Sequence, residues 1–352
     1  MLNVDFLKAE HGDCIHISFW DEAGVHRNIL IDGGPSSTYL QRSDKKKKKK
    51  TEDGPLKVLT DAVDQIDLLV VTHIDDDHIG GILKWFSKDQ QVASKVKKVW
   101  FNSPKQIIKH VENNTVVNDD TFVCQSEGTK TSSGQGKTLE ELLSDLDITH
   151  NGYVTNGYKE DFHGLEIHVL TPFSNTLSAL LDLWVTEQPD LCTATNIDHK
   201  SSIKQLLNKD HFVEDKKVQN LSSISFVVTF EDRKFLFLAD AGPTDVTKAL
   251  SLLGYDKDNK INVEFIKISH HGSKKSTSRT LLESVETSKY IISTNGKYHG
   301  HPDKTCLARI IDCNNAAQIY FNYPEFVNTI FSEVDCVGYP QFSTHPTTEI
   351  EL

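Results

Sequence analysis

Thr72-His73-Ile74-Asp75-Asp76-Asp77-His78-Ile79-Gly80-Gly81 follows directly on Asp67-Leu68-Leu69-Val70-Val71, an apolar run of the length and composition of a buried strand. Beyond it, Ile79 to Phe86 has the pattern of a helix. Within six residues, His73, Asp75, Asp77 and His78 offer four groups able to ligate a metal. In a strand-to-helix loop the backbone curls, so these side chains can converge on a small volume. Imidazole nitrogen suits zinc, iron and manganese, and carboxylate oxygen shifts the preference toward harder ions such as manganese. Gly80-Gly81 lets the following helix sit close to this loop, where a β-carbon would crowd it. An acidic loop with two incidental histidines is the plainer reading. The position after a buried strand and before two glycines speaks against it.

Working outward, the chain opens with three short strand candidates, Val4 to Lys8, Cys14 to Phe19 and Asn28 to Ile31, the last two joined by a turn at Asp21-Glu22-Ala23-Gly24. Asp32-Gly33-Gly34-Pro35 breaks that pattern. Leu56 to Ile66 reads as a helix and Val96 to Phe101 as a strand. In the second half, Ser223 to Phe230 and Lys234 to Leu238 form a hairpin that ends in Asp240. Val263 to Ile268 is a strand ending at His270-His271, and Tyr290 to Thr294 is one ending in a glycine- and histidine-rich loop. Asp303 is placed to cap a helix over Thr305 to Asp312. Both halves thus share one theme: strands whose C-terminal ends deliver Asp and His.

Polar stretches around 36–55, 103–164 and 173–220, with a helix expected at Leu139 to Leu146, read as insertions at the rim of one domain spanning 1–352. The run Lys45 to Lys50 is self-repelling and reads as a solvated loop; the sharper alternative is an arm that touches nucleic-acid phosphates. His110, His150, His163, His199 and His211 fall in or near these stretches and read as surface or core residues rather than ligands.

Composition sets the class. The chain has 352 residues, 38% hydrophobic and 25% charged, and no apolar stretch of membrane-spanning length, so it is expected to be globular. Its start lacks the basic and apolar regions of a secretory signal, and its six cysteines form no CxxC pair; a cytoplasmic setting with reduced thiols is expected. A net charge of −12 argues against a protein that coats nucleic acid. It leaves room for a phosphodiesterase, because bound divalent ions reverse the local field at a carboxylate-rich site.

The His73 to Gly81 segment resembles the signature of the metallo-β-lactamase superfamily. Asp75, where β-lactamases carry a second histidine, resembles the subgroup containing the hydrolase domain of the ComEC DNA-uptake channel. Glu10-His11-Gly12-Asp13, Ile29-Leu30-Ile31-Asp32-Gly33-Gly34, Asn220-Leu221-Ser222-Ser223-Ile224-Ser225, Leu238-Ala239-Asp240-Ala241, Ser269-His270-His271-Gly272-Ser273 and His299-Gly300-His301-Pro302 follow in that family's order. Two departures stand out. Ala239 replaces the usual glycine, and Asn220 to Ser225 lacks the histidine that β-lactamases use as a first-site ligand, which weakens that site.

The resemblance implies an αββα sandwich of two mixed sheets flanked by helices. It also implies two divalent metal ions, zinc or manganese. His73 and Asp75 would hold one and Asp77 and His78 the other, with Asp240 bridging. One of His270 and His271 would complete the second site; His271, directly before the glycine, is favoured, leaving His270 to support it or to face substrate. Such a pair of ions, roughly 3.5–4 Å apart, shares a hydroxide nucleophile. His301 would bind the scissile phosphate or protonate the leaving oxygen, His299 being a weaker candidate. Ser273 and Lys274 could hold phosphate, and Asp32 and Asp13 would orient ligand histidines.

The function implied first is a metal-dependent phosphodiesterase or nuclease acting on nucleic acid or another phosphodiester. The alternative is a hydrolase of small esters, lactones or thioesters on the same dinuclear site, since the fold hosts both. A silent binding module fits less well, because every expected ligand position holds a competent residue. No membrane partner is expected; a protein partner encoded elsewhere is compatible with this reading.

Overall fold

The computed structural model describes residues 1–42, 51–89, 91–112, 132–186 and 197–351. Two mixed sheets stack face to face. In the first, the strands run in the order Glu349–Glu351, Leu2–Phe6, Ile15–Trp20, His26–Ile31, Leu68–Val70, Val99–Trp100, His150–Asn151. Pairing is antiparallel up to His26–Ile31 and parallel from there on. The second sheet runs Ser343–Pro346, Gln318–Phe321, Lys289–Ile292, Phe265–Lys267, Arg233–Phe237, Ser225–Phe230, Leu165–Thr171, Lys159–Phe162. Here the first five strands are parallel and the rest antiparallel.

Strand alternation builds the layers. Ile15, Ile17, Phe19, Ile29, Ile31, Leu68 and Val70 point inward to meet Phe226, Phe235, Phe237 and Phe265 of the facing sheet. Leu30, Leu69 and Val71, on the opposite face of the same strands, pack beneath Ile79, Ile82, Trp85 and Phe86 of the helix Asp76–Lys88. Leu236, Leu238, Ile266 and Ile268 lie under the helices Pro243–Leu252 and Lys304–Cys313. The outcome is the expected four-layer αββα sandwich.

Several boundaries differ from the sequence reading, for local reasons. The helix after the His/Asp run starts at Asp76 rather than Ile79, with Asp75 at its N-cap position. Asp76 and Asp77 thereby sit in the first turn, where carboxylates complement the positive end of the helix dipole. The helix expected at Leu56 to Ile66 covers Pro55–Ala62 and stops because Val63 is extended. Asp303 occupies the N-cap position of Lys304–Cys313 without capping it. Its carboxylate instead accepts from the backbone and Nζ of Lys274, at 2.9 and 3.1 Å. Asp198 caps that helix, accepting from Lys304 N, Thr305 N and Thr305 Oγ1. Segment 103–164 supplies edge strands to both sheets, and 173–220 carries the helices Ser174–Thr186, Ile203–Lys209 and Val218–Leu221. The run Lys45 to Lys50 lies outside the described residues. Among the described residues no helix is long and apolar enough to cross a membrane.

Candidate metal centre

Five neighbouring strands deliver the site from their C-terminal ends. Asp32 follows His26–Ile31, His73 follows Leu68–Val70, Asp240 follows Arg233–Phe237, His270 and His271 follow Phe265–Lys267, and the loop to His301 follows Lys289–Ile292. Close backbone approach fixes their spacing. A β-carbon on Gly12 would run into the carbonyl of Asp77, and one on Gly81 into the carbonyl of Gly33. The glycine pair therefore docks the helix onto the turn after Asp32, where Gly81 N donates to Gly34 O at 2.7 Å.

Among the described residues two groups of potential ligand atoms lie close together, each within 4.8 Å: His73, His78 and Asp240, and Asp77, His78 and His271. His78 Nε2 is 3.4 Å from Asp240 Oδ1 and 3.3 Å from His271 Nε2. His271 Nε2 lies 3.3 Å from Asp77 Oδ2, and His73 Nε2 lies 3.9 Å from Asp240 Oδ2. Asp75, expected beside His73, belongs to neither group. His270 is outside both as well, but its Nε2 faces Asp240 Oδ2 at 3.5 Å, while its Nδ1 side meets Ser276, Asn220 and Asp215. His271, the favoured member of the pair, is the one that joins Asp77 and His78. His110, His150, His163, His199 and His211 take no part in either group.

The hydrogen bonds settle the tautomers. His78 Nδ1–H donates to Asp32 Oδ2 at 2.7 Å, and His271 Nδ1–H donates to the Ser293 carbonyl at 2.9 Å. The Thr72 hydroxyl donates to Asp32 Oδ2 at 2.7 Å, so it accepts from His73 Nδ1–H at 3.1 Å. Three buried imidazoles therefore present bare Nε2 lone pairs to the carboxylates, His73 and His78 beside Asp240 and His78 and His271 beside Asp77. His73 Nε2 and Asp240 Oδ1 are buried and make no hydrogen bond. Lone pairs and anions facing one another in a dry volume need a cation, and this mixed nitrogen and oxygen set fits divalent zinc or manganese.

Without a metal, protons supply the positive charge. Burial lowers the His271 pKa, but Asp13 and Asp240 outweigh it and hold it at about 9. Burial likewise opposes a charge on His78, and Asp240, Asp32 and Asp77 raise it well above its usual value all the same. His73 goes the other way, down to about 3, through burial and the neighbouring His78 cation. Burial pushes His270 to about 4 against the pull of Asp240. Asp77 and Asp240 are held well below the carboxylate range despite burial, His78 leading for Asp77 and His270 and His78 for Asp240.

The residues that hold the ligand side chains in place are only partly those the sequence foretold. Asp32 orients His78 and Thr72 as expected, with Thr72 N donating to its Oδ1 at 2.8 Å. Asp13 Oδ1 stands 3.5 Å from His271 Nδ1. Its other oxygen accepts from Lys267 Nζ at 2.6 Å, an ion pair with both side chains 1% exposed. Sequence reasoning passed over Lys267. Its signal was a lone cation in the apolar strand Phe265-Ile266-Lys267-Ile268, which has to find a partner if buried. Asp215, which closes on His270, was missed too and had no signal.

Backbone strain concentrates in the same loops. Asp32, Ala239, His270 and His271 have φ of 57°, 46°, 48° and 54°, in the left-handed region that costs a residue with a β-carbon about 1–2 kcal/mol. This is the physical reason for glycine at position 239 in the pattern the chain resembles. Here the alanine is held there, and its carbonyl accepts from His270 N at 2.8 Å.

Residues 22–140, which include Asp32 and the His73 to His78 run, match the model of the Metallo-beta-lactamase superfamily. That match spans about a third of the chain, and the αββα sandwich described above is the fold of that superfamily. A curated relative, ComE operon protein 3 of Bacillus subtilis (strain 168), is 23% identical over 363 residues, covering 98% of this chain and 35% of the relative. The chain thus spans about a third of that protein's length. Among solved structures, the diiron β-hydroxylase CmlA of Streptomyces venezuelae aligns over 99% of this chain and 54% of its own, at 12% identity and a TM-score of 0.43. The metallo-beta-lactamase fold protein YhfI of Bacillus subtilis aligns over 100% of both chains at 10% identity and a TM-score of 0.40.

Proposed function

We propose that the protein is a metal-dependent phosphodiesterase acting on nucleic acid. The observation that carries this reading is the donor set: His73, His78 and His271 face Asp77 and Asp240 in one buried volume, with the His301 imidazole at its edge. When bound there, divalent ions would acidify water and neutralise the charge that builds on a phosphoryl oxygen during displacement. The carboxylate share of the set suits the harder ions used in phosphoryl chemistry. The order of motifs, which resembles that of the ComEC hydrolase domain, supports the same substrate class.

The chain's own residues have separable roles. His73, Asp77, His78, Asp240 and His271 would hold the ions, with Asp75 standing at the head of the helix beside them. Asp32 and Thr72 fix the ring planes of His78 and His73. The Ser293 carbonyl does so for His271, with Asp13, paired to Lys267, adding negative charge 3.5 Å away. His301 lies 5.2 Å from His270, ring centre to ring centre, and its Nδ1 is 3.5 Å from Asp303 Oδ2. That carboxylate is lowered to about 2 by His301 and Lys274 in spite of burial, and its negative charge stands beside the imidazole. From there His301 would give a proton to the leaving oxygen as the P–O bond breaks.

The test is cleavage of bis-(p-nitrophenyl) phosphate and of linear and circular DNA with manganese, zinc or EDTA, comparing wild type with Asp77→Ala/His78→Ala. Metal-dependent cleavage abolished by the double substitution is the expected result. Metal-loaded protein that leaves both substrates intact while hydrolysing an aryl ester or lactone would overturn the proposal in favour of a small-molecule hydrolase.

A further inference from the structure

Tyr298 is 52% exposed, yet its ring is held in place. It stacks on His11 with centroids 4.7 Å apart and an interplanar angle of 24°. The two rings come from loops tied to each other, since Asn295 N donates to Glu10 O at 2.6 Å. Glu10 is anchored in turn, its backbone N–H donating to the Tyr323 hydroxyl at 2.8 Å. Both loops pass through left-handed residues that are not glycine, Glu10 and His299, each with φ of 55°. Such backbone is kept only where the surroundings enforce it. Here it presents an aromatic ring to solvent, which nothing in the core requires.

The stack sits beside the metal centre. His11 adjoins Gly12, whose backbone touches the carbonyl of Asp77. From Tyr298 a chain of ring contacts leads inward: to His299 at 4.8 Å, on to His301 at 6.1 Å, and on to His270 at 5.2 Å. His270 reaches Asp240 at 3.5 Å. A flat, pre-ordered aromatic face at the rim of a centre suited to phosphodiesters matches how single-stranded nucleic acid is gripped, by stacking unpaired bases without reading their sequence. Paired bases inside a duplex present no free face to such a ring.

We propose that Tyr298, braced by His11, is a stacking platform for an unpaired base next to the phosphodiester that enters the metal centre, so that the substrate is single-stranded nucleic acid. This rests on the phosphodiesterase reading and adds a specificity residue to it.

The experiment compares wild type, Tyr298→Ala and Tyr298→Trp, loaded with manganese, on three substrates. These are a single-stranded oligodeoxynucleotide, the same oligonucleotide with abasic residues, and methyl p-nitrophenyl phosphate, which has no base. Tyr298→Ala raises KM roughly tenfold on the base-bearing strand with kcat little changed, and leaves the other two substrates unaffected. Tyr298→Trp restores the wild-type KM. Fluorescence anisotropy of the labelled strand in EDTA shows the same order of binding without turnover. A wild type that treats base-bearing and abasic strands alike, or a Tyr298→Ala defect equal on all three substrates, overturns the platform alone. Metal-loaded wild type that hydrolyses none of the three overturns the phosphodiesterase reading, and the platform with it.

Discussion

Replacing Lys267 with methionine isolates the energetics of the shell behind the metal centre. Lys267 Nζ donates to Asp13 Oδ2 at 2.6 Å, and both side chains are 1% exposed. Methionine fills much the same volume and leaves the Asp13 carboxylate buried without its counter-charge. Breaking one side of a buried pair costs roughly 3–5 kcal/mol, which for a chain of this size lowers Tm by about 4–7 °C. The pH dependence carries the mechanism. In wild type, Lys267 and His271 overcome burial and depress the Asp13 pKa, so its stabilisation is complete above the unfolded carboxylate value and is lost only as pH falls through the still lower folded value. In the variant only the neighbouring histidine cations oppose burial, so the pKa moves up from its wild-type position and the penalty shrinks as pH falls from 7 toward 5. Urea denaturation of metal-free wild type, Lys267→Met and Lys267→Met/Asp13→Leu at pH 7 and pH 5 reads this out. The double variant recovers most of the loss, since it buries no lone charge. A single-variant loss below about 1 kcal/mol, or one that does not diminish at pH 5, would mean that Lys267 does not carry the charge of Asp13.

Three further outcomes follow from the geometry. Asp32→Asn removes the acceptor that orients His78 and Thr72, and it weakens metal binding about 10–100-fold in competition with a chelator; unchanged affinity would show that the tautomer is set elsewhere. Gly12→Ala drives a methyl into the Asp77 carbonyl, so the protein loses metal stoichiometry by elemental analysis while far-ultraviolet circular dichroism stays near wild type. At pH 7 metal binding displaces about two protons, from His78 and from His271 with its pKa of about 9, as calorimetry in buffers of different ionisation enthalpy will show. Because these pKa values are raised, the protonated histidines stabilise the metal-free fold fully below the unfolded value, and that contribution fades as pH climbs through about 9. A proton count near zero at pH 7 contradicts this.

The parts of the site legible in the sequence are those written within a few residues. His73 to His78, Ala239-Asp240 and His270-His271 each follow an apolar strand, and strand ends in a mixed sheet gather at one edge, so their meeting could be foreseen. The glycines at 12 and 81 could be noticed without knowing what they touch. The unforeseen partners are far apart in the chain. Lys267 meets Asp13 across 254 residues, and Asp198, not Asp303, caps the helix Lys304–Cys313. No periodicity encodes such contacts, because burial selects them only after the sheets have stacked. The helix start at Asp76 is a subtler case, in which first-turn carboxylates extended the helix into what reads as loop. The edge strands within 103–164 were illegible for a related reason: strands such as His150–Asn151 bury little and carry no strong apolar pattern.

The most direct test measures, on one preparation, manganese stoichiometry by equilibrium dialysis and turnover of bis-(p-nitrophenyl) phosphate. Bound manganese and turnover rise together as metal is added to wild type, and both are diminished in Asp77→Ala/His78→Ala. Stoichiometric metal on wild type with no phosphodiester turnover, or turnover that persists in the double variant, would contradict it.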